Sequence, residues 1–257
     1  MIAELPAIVL VPGAWTAPAA FHQLIRILET KGFTVHAPAL PTNNGHRPPD
    51  SSFDDDVQAV RQVVQRLVED EGKEVMVLMH SYGGVVGTTA LRGLTRQDRE
   101  TRGQLGGVVH LLYAAAFLLA LHQSVRTVVQ TVNLPGREGL VQFADDGTWF
   151  PTDPVALLYP DLSPDDQEEQ RRLLAWGNAA ILTGDTTYEA WRDVPTLYVR
   201  VTEDPWLPSE FQDFCVKNAE DAGVAIRTAA LPSAHSPYVN FAAELAEMVV
   251  QIANSST

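Results

Sequence analysis

Short apolar runs alternate with amphipathic segments along this chain, and the alternation restricts it to one class of fold. Ala7 to Val11 is a continuous apolar run rich in branched residues, which is typical of a strand buried on both faces of a parallel sheet. Val57 to Val68 instead repeats apolar residues at helical spacing. Strands and helices in succession predict an α/β fold, a mostly parallel sheet with helices on both faces. About six strands are predicted: Ala7 to Val11, Phe33 to His36, Glu74 to Met79, Val108 to Tyr113, Pro195 to Val201 and Val224 to Leu231.

Composition and charge restrict the possible partners. The 257 residues are 46% hydrophobic and 19% charged, enough to bury a large core. A formal net charge of −14 disfavours nucleic acid and anionic membranes as partners, so we expect a small neutral or apolar ligand. The single Cys215 excludes an internal disulfide and a cysteine-based zinc site. The first apolar run stops at Pro12, too short for a signal core or a membrane span, and we therefore expect a cytoplasmic protein.

A long segment of different character separates the fourth and fifth predicted strands. Residues 118–193 lack the strand–helix alternation but hold three of the five tryptophans, Trp149, Trp176 and Trp191. An aromatic, amphipathic insertion between core strands is typical of a lid over a pocket. We therefore expect a helical cap at 118–193 on a core formed by 1–117 and 194–257.

The stretch from Val75 to Gly87 has the layout of a nucleophile elbow. An apolar strand-like run leads into Ser81, Tyr82 and two glycines, and a helix-like run follows. Such a turn favours small residues two positions before and two after the serine. Gly83 supplies the second, whereas Met79 stands at the first. The same pattern also fits an ordinary strand-to-helix turn with a capping serine, so other parts of the chain must decide between the two.

Polar residues at the ends of other predicted strands favour the elbow. Ligands of a parallel open sheet bind at the carboxyl ends of its strands. Ser81 ends the third predicted strand, Glu203 and Asp204 follow the fifth, and His235 follows the last. Serine, acid and histidine therefore occur at strand ends in the chain order that α/β-hydrolases use. Of the seven histidines, His235 is the one in the short loop after the last strand.

Four motifs give the chain a resemblance to a known family. It resembles the compact α/β-hydrolases whose lineage includes plant methylesterases, hydroxynitrile lyases and many microbial small-molecule esterases. The motifs are P-G-A-W at Pro12–Trp15, H-S-Y-G-G at His80–Gly84, T-E-D-P-W-L-P at Thr202–Pro208 and A-H-S-P at Ala234–Pro237. Two departures stand out, because Pro12 replaces the family's histidine and Met79 its glycine. We expect both to reshape the oxyanion side of the pocket.

The chemistry of these residue types indicates a catalytic triad. A serine hydroxyl is a poor nucleophile at neutral pH, so Ser81 needs His235 as its base. The imidazole in turn needs a carboxylate that fixes its tautomer. The resemblance favours Asp204 for this role, and the adjacent Glu203 is the alternative.

The remaining parts of the expected site are an oxyanion hole and a pocket. The backbone N–H groups of Ala14 and Tyr82 are the expected donors to the oxyanion. Aromatic residues near the strand ends and in the cap are expected to line the substrate pocket: Trp15, Phe117, Trp149, Trp176 and Trp206.

These features predict a serine hydrolase, without cofactor or metal, that cleaves an ester, a lactone or a similar carbonyl bond. A carbon–carbon hydrolase or lyase on the same triad and a non-enzymatic ligand receptor of the same fold remain alternatives. Hydroxynitrile lyase activity is disfavoured, since Ser236 stands where those relatives carry lysine. His80 is expected to point into the core, and Asp54–Asp56 to begin a helix in water. The sequence leaves the oligomeric state open.

Overall fold

A six-stranded parallel sheet lies at the centre of the computed structural model, which describes residues 5–255. Its strand order is β2-β1-β3-β4-β8-β9. The strands of the chain are β1 (Ala7–Val11), β2 (Val35–His36), β3 (Glu74–His80), β4 (Gly107–Ala114), β5 (Val141–Phe143), β6 (Thr148–Pro151), β7 (Gly177–Asn178), β8 (Thr196–Val201) and β9 (Arg227–Leu231).

Helices cover both faces of this sheet. The helices are α1 (His22–Thr30), α2 (Phe53–Gln65), α3 (Gly83–Ala90), α4 (Arg96–Glu100), α5 (Val125–Val132), α6 (Pro154–Leu158), α7 (Pro164–Arg172), α8 (Ser209–Asp221), α9 (Pro237–Asn240) and α10 (Ala242–Asn254). The connection through α1 moves from β1 to β2 at one edge, and the connection through α2 moves back across β1 to β3. Because such crossovers are right-handed, these two helices lie on opposite faces. Accordingly, α1 packs against α10 and α2 against α3. The predicted fold class is confirmed.

The central strands are apolar because both of their faces are covered. Every residue of β1 is buried, as is every residue of β3 after Glu74. The register places Met79 of β3 between Val11 of β1 and Tyr113 of β4. Since all strands of this sheet run in the same direction, the loops after β1, β3, β8 and β9 share one edge, where ligands bind in open α/β sheets.

Two strands begin later than the sequence predicts, because the preceding residues close a helix instead. The Phe33 N–H donates a hydrogen bond to Leu28 O at the end of α1, and the Val224 N–H donates to Ala219 O at the end of α8. Each follows a glycine with a positive φ, a common way for a helix to end. The strands therefore begin at Val35 and Arg227.

The segment between β4 and β8 contains the expected helices and also a sheet that the sequence did not reveal. Helices α5, α6 and α7 lie within residues 118–193, but so do β5, β6 and β7, which form an antiparallel three-stranded sheet. These strands have 3, 4 and 2 residues, too short for a recognisable period-2 pattern. The division into core and cap stays a prediction.

The described chain contains no candidate for a membrane-spanning helix. None of the helices within residues 5–255 combines the length and the apolar character needed to span a bilayer.

Candidate active site

Ser81 lies on a sharply turned backbone between β3 and α3. Its φ of 53° is in the left-handed region, which non-glycine residues seldom occupy outside functional turns. The Ser81 carbonyl accepts hydrogen bonds from the N–H of Gly84 at 3.0 Å and that of Phe117 at 3.1 Å. A strained serine held between a buried strand and a helix start is the geometry of a nucleophile elbow.

Close approach of the backbone explains the glycines around this serine. A Cβ on Gly83 would lie 2.5 Å from Val11 O and 2.6 Å from Pro12 O. A Cβ on Gly13 would lie 2.9 Å from the Ser81 Cβ. Gly83 therefore packs against the backbone at the end of β1, and Gly13 packs against the side chains of His80 and Ser81, so neither position has room for a Cβ.

Met79 stands at the position where the elbow motif has a glycine. Helix α3, rather than strand β3, leaves the space for its side chain. Its side chain is fully buried, and a Cβ on Gly87 of α3 would lie only 2.6 Å from the Met79 sulfur. The space for the longer side chain is thus provided by Gly87. The Met79 side chain packs into the core against α3, and its effect on the oxyanion side stays a prediction.

His235 and Asp204 form a buried pair at the ends of β9 and β8. The His235 Nδ1 lies 2.7 Å from Asp204 Oδ2, and the two side chains are 3% and 0% exposed. Asp204 Oδ1 accepts from the backbone N–H groups of Trp206 and Leu207, both at 2.8 Å. With Nδ1–H donating to the carboxylate, the His235 Nε2 keeps its lone pair to accept a proton. The structure brings Asp204 to the histidine, whereas the neighbouring Glu203 is exposed.

His80 supports the histidine loop from below. As expected, it is buried in the core, and its Nε2–H donates to the carbonyl of His235 at 2.8 Å. Burial lowers the pKa of His80 well below its usual value, and the nearby His235 ring lowers it further. The ring is therefore neutral, and its single N–H is the one on Nε2.

Two backbone N–H groups remain without protein partners beside Ser81. Among residues 5–255, neither the Ala14 N–H nor the Tyr82 N–H donates a hydrogen bond to another group of the protein. On either side of Ala14, the side chain of Asn43 holds the loop after β1. Its Nδ2 donates to Gly13 O at 2.8 Å, and its Oδ1 accepts from the Trp15 N–H at 2.8 Å. Free donors beside a strained serine are suited to bind a negatively charged oxygen.

Comparison with known proteins agrees with this geometry. A model of the alpha/beta hydrolase family matches residues 8–248. The chain belongs to the alpha/beta hydrolase family.

Relatives of this alpha/beta hydrolase come from fungi and bacteria. It is 26% identical over 228 residues to the alpha/beta hydrolase nvfD of Aspergillus novofumigatus, covering 86% of this chain and 87% of that protein. It is also 26% identical to a pyrethroid hydrolase of Sphingobium wenxiniae in an alignment of 271 residues, covering 96% of this chain and 88% of that protein.

Solved structures of the same fold include a polyneuridine aldehyde esterase, with a TM-score of 0.76 at 19% identity over 97% of this chain and 99% of that one. The relatives are named hydrolases and esterases. The chain is accordingly a hydrolase.

An apolar cavity of about 240 Å³ lies near the buried pair of this alpha/beta hydrolase, although Ser81, Asp204 and His235 are not among its lining residues. Phe117, Trp149 and Trp206 line it, and these are three of the aromatic residues expected at the substrate pocket. Trp15 packs against two of these lining residues, with its ring centroid 4.3 Å from that of Trp149 and 5.5 Å from that of Trp206. The other lining residues are Val125, Val129, Arg137, Leu140, Val141, Phe143, Leu182, Leu207 and Phe211. The cavity borders the site through Trp206, whose N–H bonds to Asp204, and through Phe117, whose N–H bonds to Ser81 O.

Trp176 does not lie at this cavity. Its ring stacks on Phe150 at a centroid distance of 5.3 Å, and the Arg47 guanidinium lies 4.3 Å from the Trp176 centroid. The expectation that all five aromatic residues line one pocket therefore fails at Trp176, because sequence spacing cannot show which way a cap residue faces.

Asp56 is a second residue that the sequence placed wrongly. Asp54 and Asp55 are exposed at the start of α2, as expected, but Asp56 is fully buried. Its carboxylate accepts from the Thr42 N–H at 2.9 Å, the Thr42 hydroxyl at 2.5 Å and the Tyr82 hydroxyl at 2.9 Å. Burial raises the pKa of Asp56 to about 6. The helical spacing from Asp56 to the buried Val60 was the available signal that this aspartate faces inward.

Proposed function

We propose that this hydrolase cleaves an ester, lactone or similar carbonyl bond of a small, mainly apolar molecule through a triad of Ser81, His235 and Asp204. The observation that carries the proposal is the buried His235–Asp204 pair at the strand ends beside a serine in the left-handed conformation. These groups match the roles of nucleophile, base and orienting acid.

The proposed reaction uses these groups in two steps. The Ser81 Oγ attacks the carbonyl carbon while His235 Nε2 takes its proton, and the Asp204 carboxylate stabilises the imidazolium that forms. The N–H groups of Ala14 and Tyr82 bind the oxyanion of the tetrahedral intermediate. His235 then gives its proton to the leaving alcohol, and an acyl group remains on Ser81. A water molecule, activated by His235 in the same way, releases the acid and restores the serine.

The substrate class is inferred from the cavity and the relatives. Aromatic and aliphatic side chains make up most of the lining of the 240 Å³ cavity, and the net charge of −14 disfavours anionic partners. A pyrethroid hydrolase and a polyneuridine aldehyde esterase among the relatives are consistent with esters. Action in the cytoplasm on a small molecule, with no nucleic acid, membrane or cofactor required, is part of the proposal.

Replacing the nucleophile tests the proposal directly. We expect Ser81→Ala to lower kcat for p-nitrophenyl acetate and butyrate by at least about 10⁴-fold, with an unchanged circular dichroism spectrum. Ser209→Ala, at an exposed serine that begins α8, is the matched control and should keep the full rate. Near-normal turnover by Ser81→Ala would refute the assignment.

Covalent labelling distinguishes an enzyme from a ligand receptor of the same fold. A fluorophosphonate should label the wild-type protein stoichiometrically, and peptide mass spectrometry should place the label on Ser81. Absence of labelling would favour the receptor. Carbon–carbon hydrolysis would use the same groups, and turnover of a β-diketone in place of esters would identify it.

A further inference from the structure

We propose that Asp56, Thr42 and Asn43 act as one positioning unit that fixes the two oxyanion donors, the N–H groups of Ala14 and Tyr82, relative to each other. The inference rests on the proposed function, because it assigns a task to residues that do not touch the substrate. Two chains of hydrogen bonds carry it, one to each donor.

The first chain runs from Asp56 to the elbow. The Tyr82 hydroxyl donates to Asp56 Oδ2 at 2.9 Å, and the Tyr82 side chain is only 2% exposed. The backbone N–H of the same residue is one of the two donors left without a protein partner. Asp56 on α2 thus holds the residue that directly follows the serine.

The second chain runs from Asp56 to the loop after β1. Thr42 donates to the Asp56 carboxylate twice, from its N–H at 2.9 Å and from its hydroxyl at 2.5 Å. The next residue, Asn43, bonds to Gly13 O and to the Trp15 N–H, each at 2.8 Å. One carboxylate is therefore linked to both sides of the oxyanion hole.

The planarity of the peptide bond gives the Asn43 contact its significance. The Gly13 carbonyl and the Ala14 N–H belong to the same peptide unit and point in opposite directions. When Asn43 Nδ2 bonds to the Gly13 oxygen, it sets the orientation of that plane and hence the direction of the Ala14 N–H. The bond from the Trp15 N–H, whose residue has a φ of 63°, holds the following peptide in its strained conformation.

The energetic cost of burying the Asp56 carboxylate also suggests that this residue does more than fill the core. The carboxylate has no cationic partner among the described residues, and burial raises its pKa despite three donors. A buried carboxylate with a perturbed pKa is a candidate for a functional role, and the hydrogen bonds that Asp56 accepts from Thr42 and Tyr82 indicate which role it has.

The expected effect is on the transition state rather than on substrate binding. Displaced donors weaken the oxyanion contact, which forms only as the reaction proceeds. We expect Asp56→Asn and Asn43→Ala each to lower kcat about 10- to 100-fold while KM changes less than about threefold. Affinity for an aryl trifluoromethyl ketone, which forms an oxyanion with the serine, should fall by the same factor as kcat/KM, a correlation that loss of packing alone would not produce.

Matched controls are available next to each residue. Asp54→Asn removes an exposed carboxylate from the same turn of α2, and Asn44→Ala removes the exposed asparagine beside Asn43. Both controls should keep kcat and inhibitor affinity within about twofold, because neither residue bonds to the oxyanion loop or to Tyr82. Ser81→Ala tests the proposed function separately. If this variant kept its activity, the hydrolase mechanism itself would be refuted, and the positioning unit would fall with it.

The outcome that overturns the proposal is specific. If Ser81→Ala is inactive while folded Asp56→Asn and Asn43→Ala keep kcat and trifluoromethyl ketone affinity within about threefold, the positioning unit does not exist. If both variants fail to fold, Tyr82→Phe decides, because it removes only the hydroxyl bond to Asp56 and leaves the backbone N–H. It should lower kcat and inhibitor affinity together about 3- to 10-fold, and unchanged values would overturn the proposal.

Discussion

Burial of Asp56 should make this hydrolase less stable as the pH rises through the range from about 4 to 6. The carboxyl group is 0% exposed, and burial raises its pKa from 3.8 to about 6. Hydrogen bonds from Thr42 and Tyr82 lower the pKa and the negative charge of Asp55 raises it, but burial is the largest effect. Because the folded-state pKa lies above the unfolded one, the folded protein binds more protons in this range, and raising the pH favours unfolding.

The magnitude follows from the size of the shift. A pKa change from 3.8 to about 6 is about 2 units, or about 3 kcal/mol at about 1.4 kcal/mol per unit. The full contribution of Asp56 to the free energy of unfolding is present well below pH 3.8, and part of it is already lost at pH 4.5. Between pH 4.5 and 7.5 the contribution of Asp56 to the free energy of unfolding should therefore fall by about 2 kcal/mol. Asp56→Asn cannot ionise and should lack this change.

Equilibrium unfolding measures this difference. Guanidinium chloride titrations followed by tryptophan fluorescence give the free energy of unfolding of the wild type and of Asp56→Asn at several pH values. Other groups titrate equally in both proteins, so the difference between them isolates Asp56, and Asp54→Asn controls for loss of a carboxylate from the same helix turn. A difference between wild type and Asp56→Asn that stays constant from pH 4.5 to 7.5 would refute the reasoning.

Three further predictions concern the elbow, the cysteine and the acid of the triad. Gly84→Ala adds a Cβ only 3.0 Å from the backbone nitrogen of Phe117, so we expect a loss of at least about 2 kcal/mol in unfolding free energy; an unchanged melting temperature would contradict it. Cys215 is buried and its pKa is raised to about 12, so Ellman's reagent should label it only after unfolding, and rapid labelling of the native protein at pH 8 would show otherwise. Asp204→Asn keeps the size of the side chain but not its charge, so kcat for aryl esters should fall about 10³- to 10⁴-fold with little change in KM, whereas an unchanged kcat would exclude Asp204 as the acid.

Most of the sheet and the pairing of His235 with Asp204 could be predicted from the sequence, and the topology explains why. In a parallel sheet, residues that are far apart in the chain meet at the carboxyl ends of their strands. Ser81, Asp204 and His235 each follow a strand that is apolar enough to recognise. Their order along the chain therefore translates into a shared location without knowledge of side-chain contacts.

The residues that the sequence did not identify are positioned by contacts that leave no periodic pattern in the chain. Asn43 is the last residue of a three-residue 3₁₀ helix and bonds to groups 28 and 30 residues earlier in the chain, so no local pattern marks it. An acidic cluster at a helix start predicts exposure for Asp56, although its position on the helix faces inward. Trp176 shares its residue type with the cavity-lining tryptophans, but it directly precedes β7 of the short three-stranded sheet between β4 and β8, which has no sequence signature.

The packing of Met79 against Gly87 changes what the elbow motif requires. The constraint is a volume between the strand and the helix that follows it, and either element can leave that volume empty. A motif that demands glycine two residues before the serine describes one solution, in which the strand provides the space. Here the helix provides it, six residues after the serine, so a larger residue at position 87 would require the Met79 side chain to move. A pattern written for both positions would recognise nucleophile elbows that the one-position rule passes over.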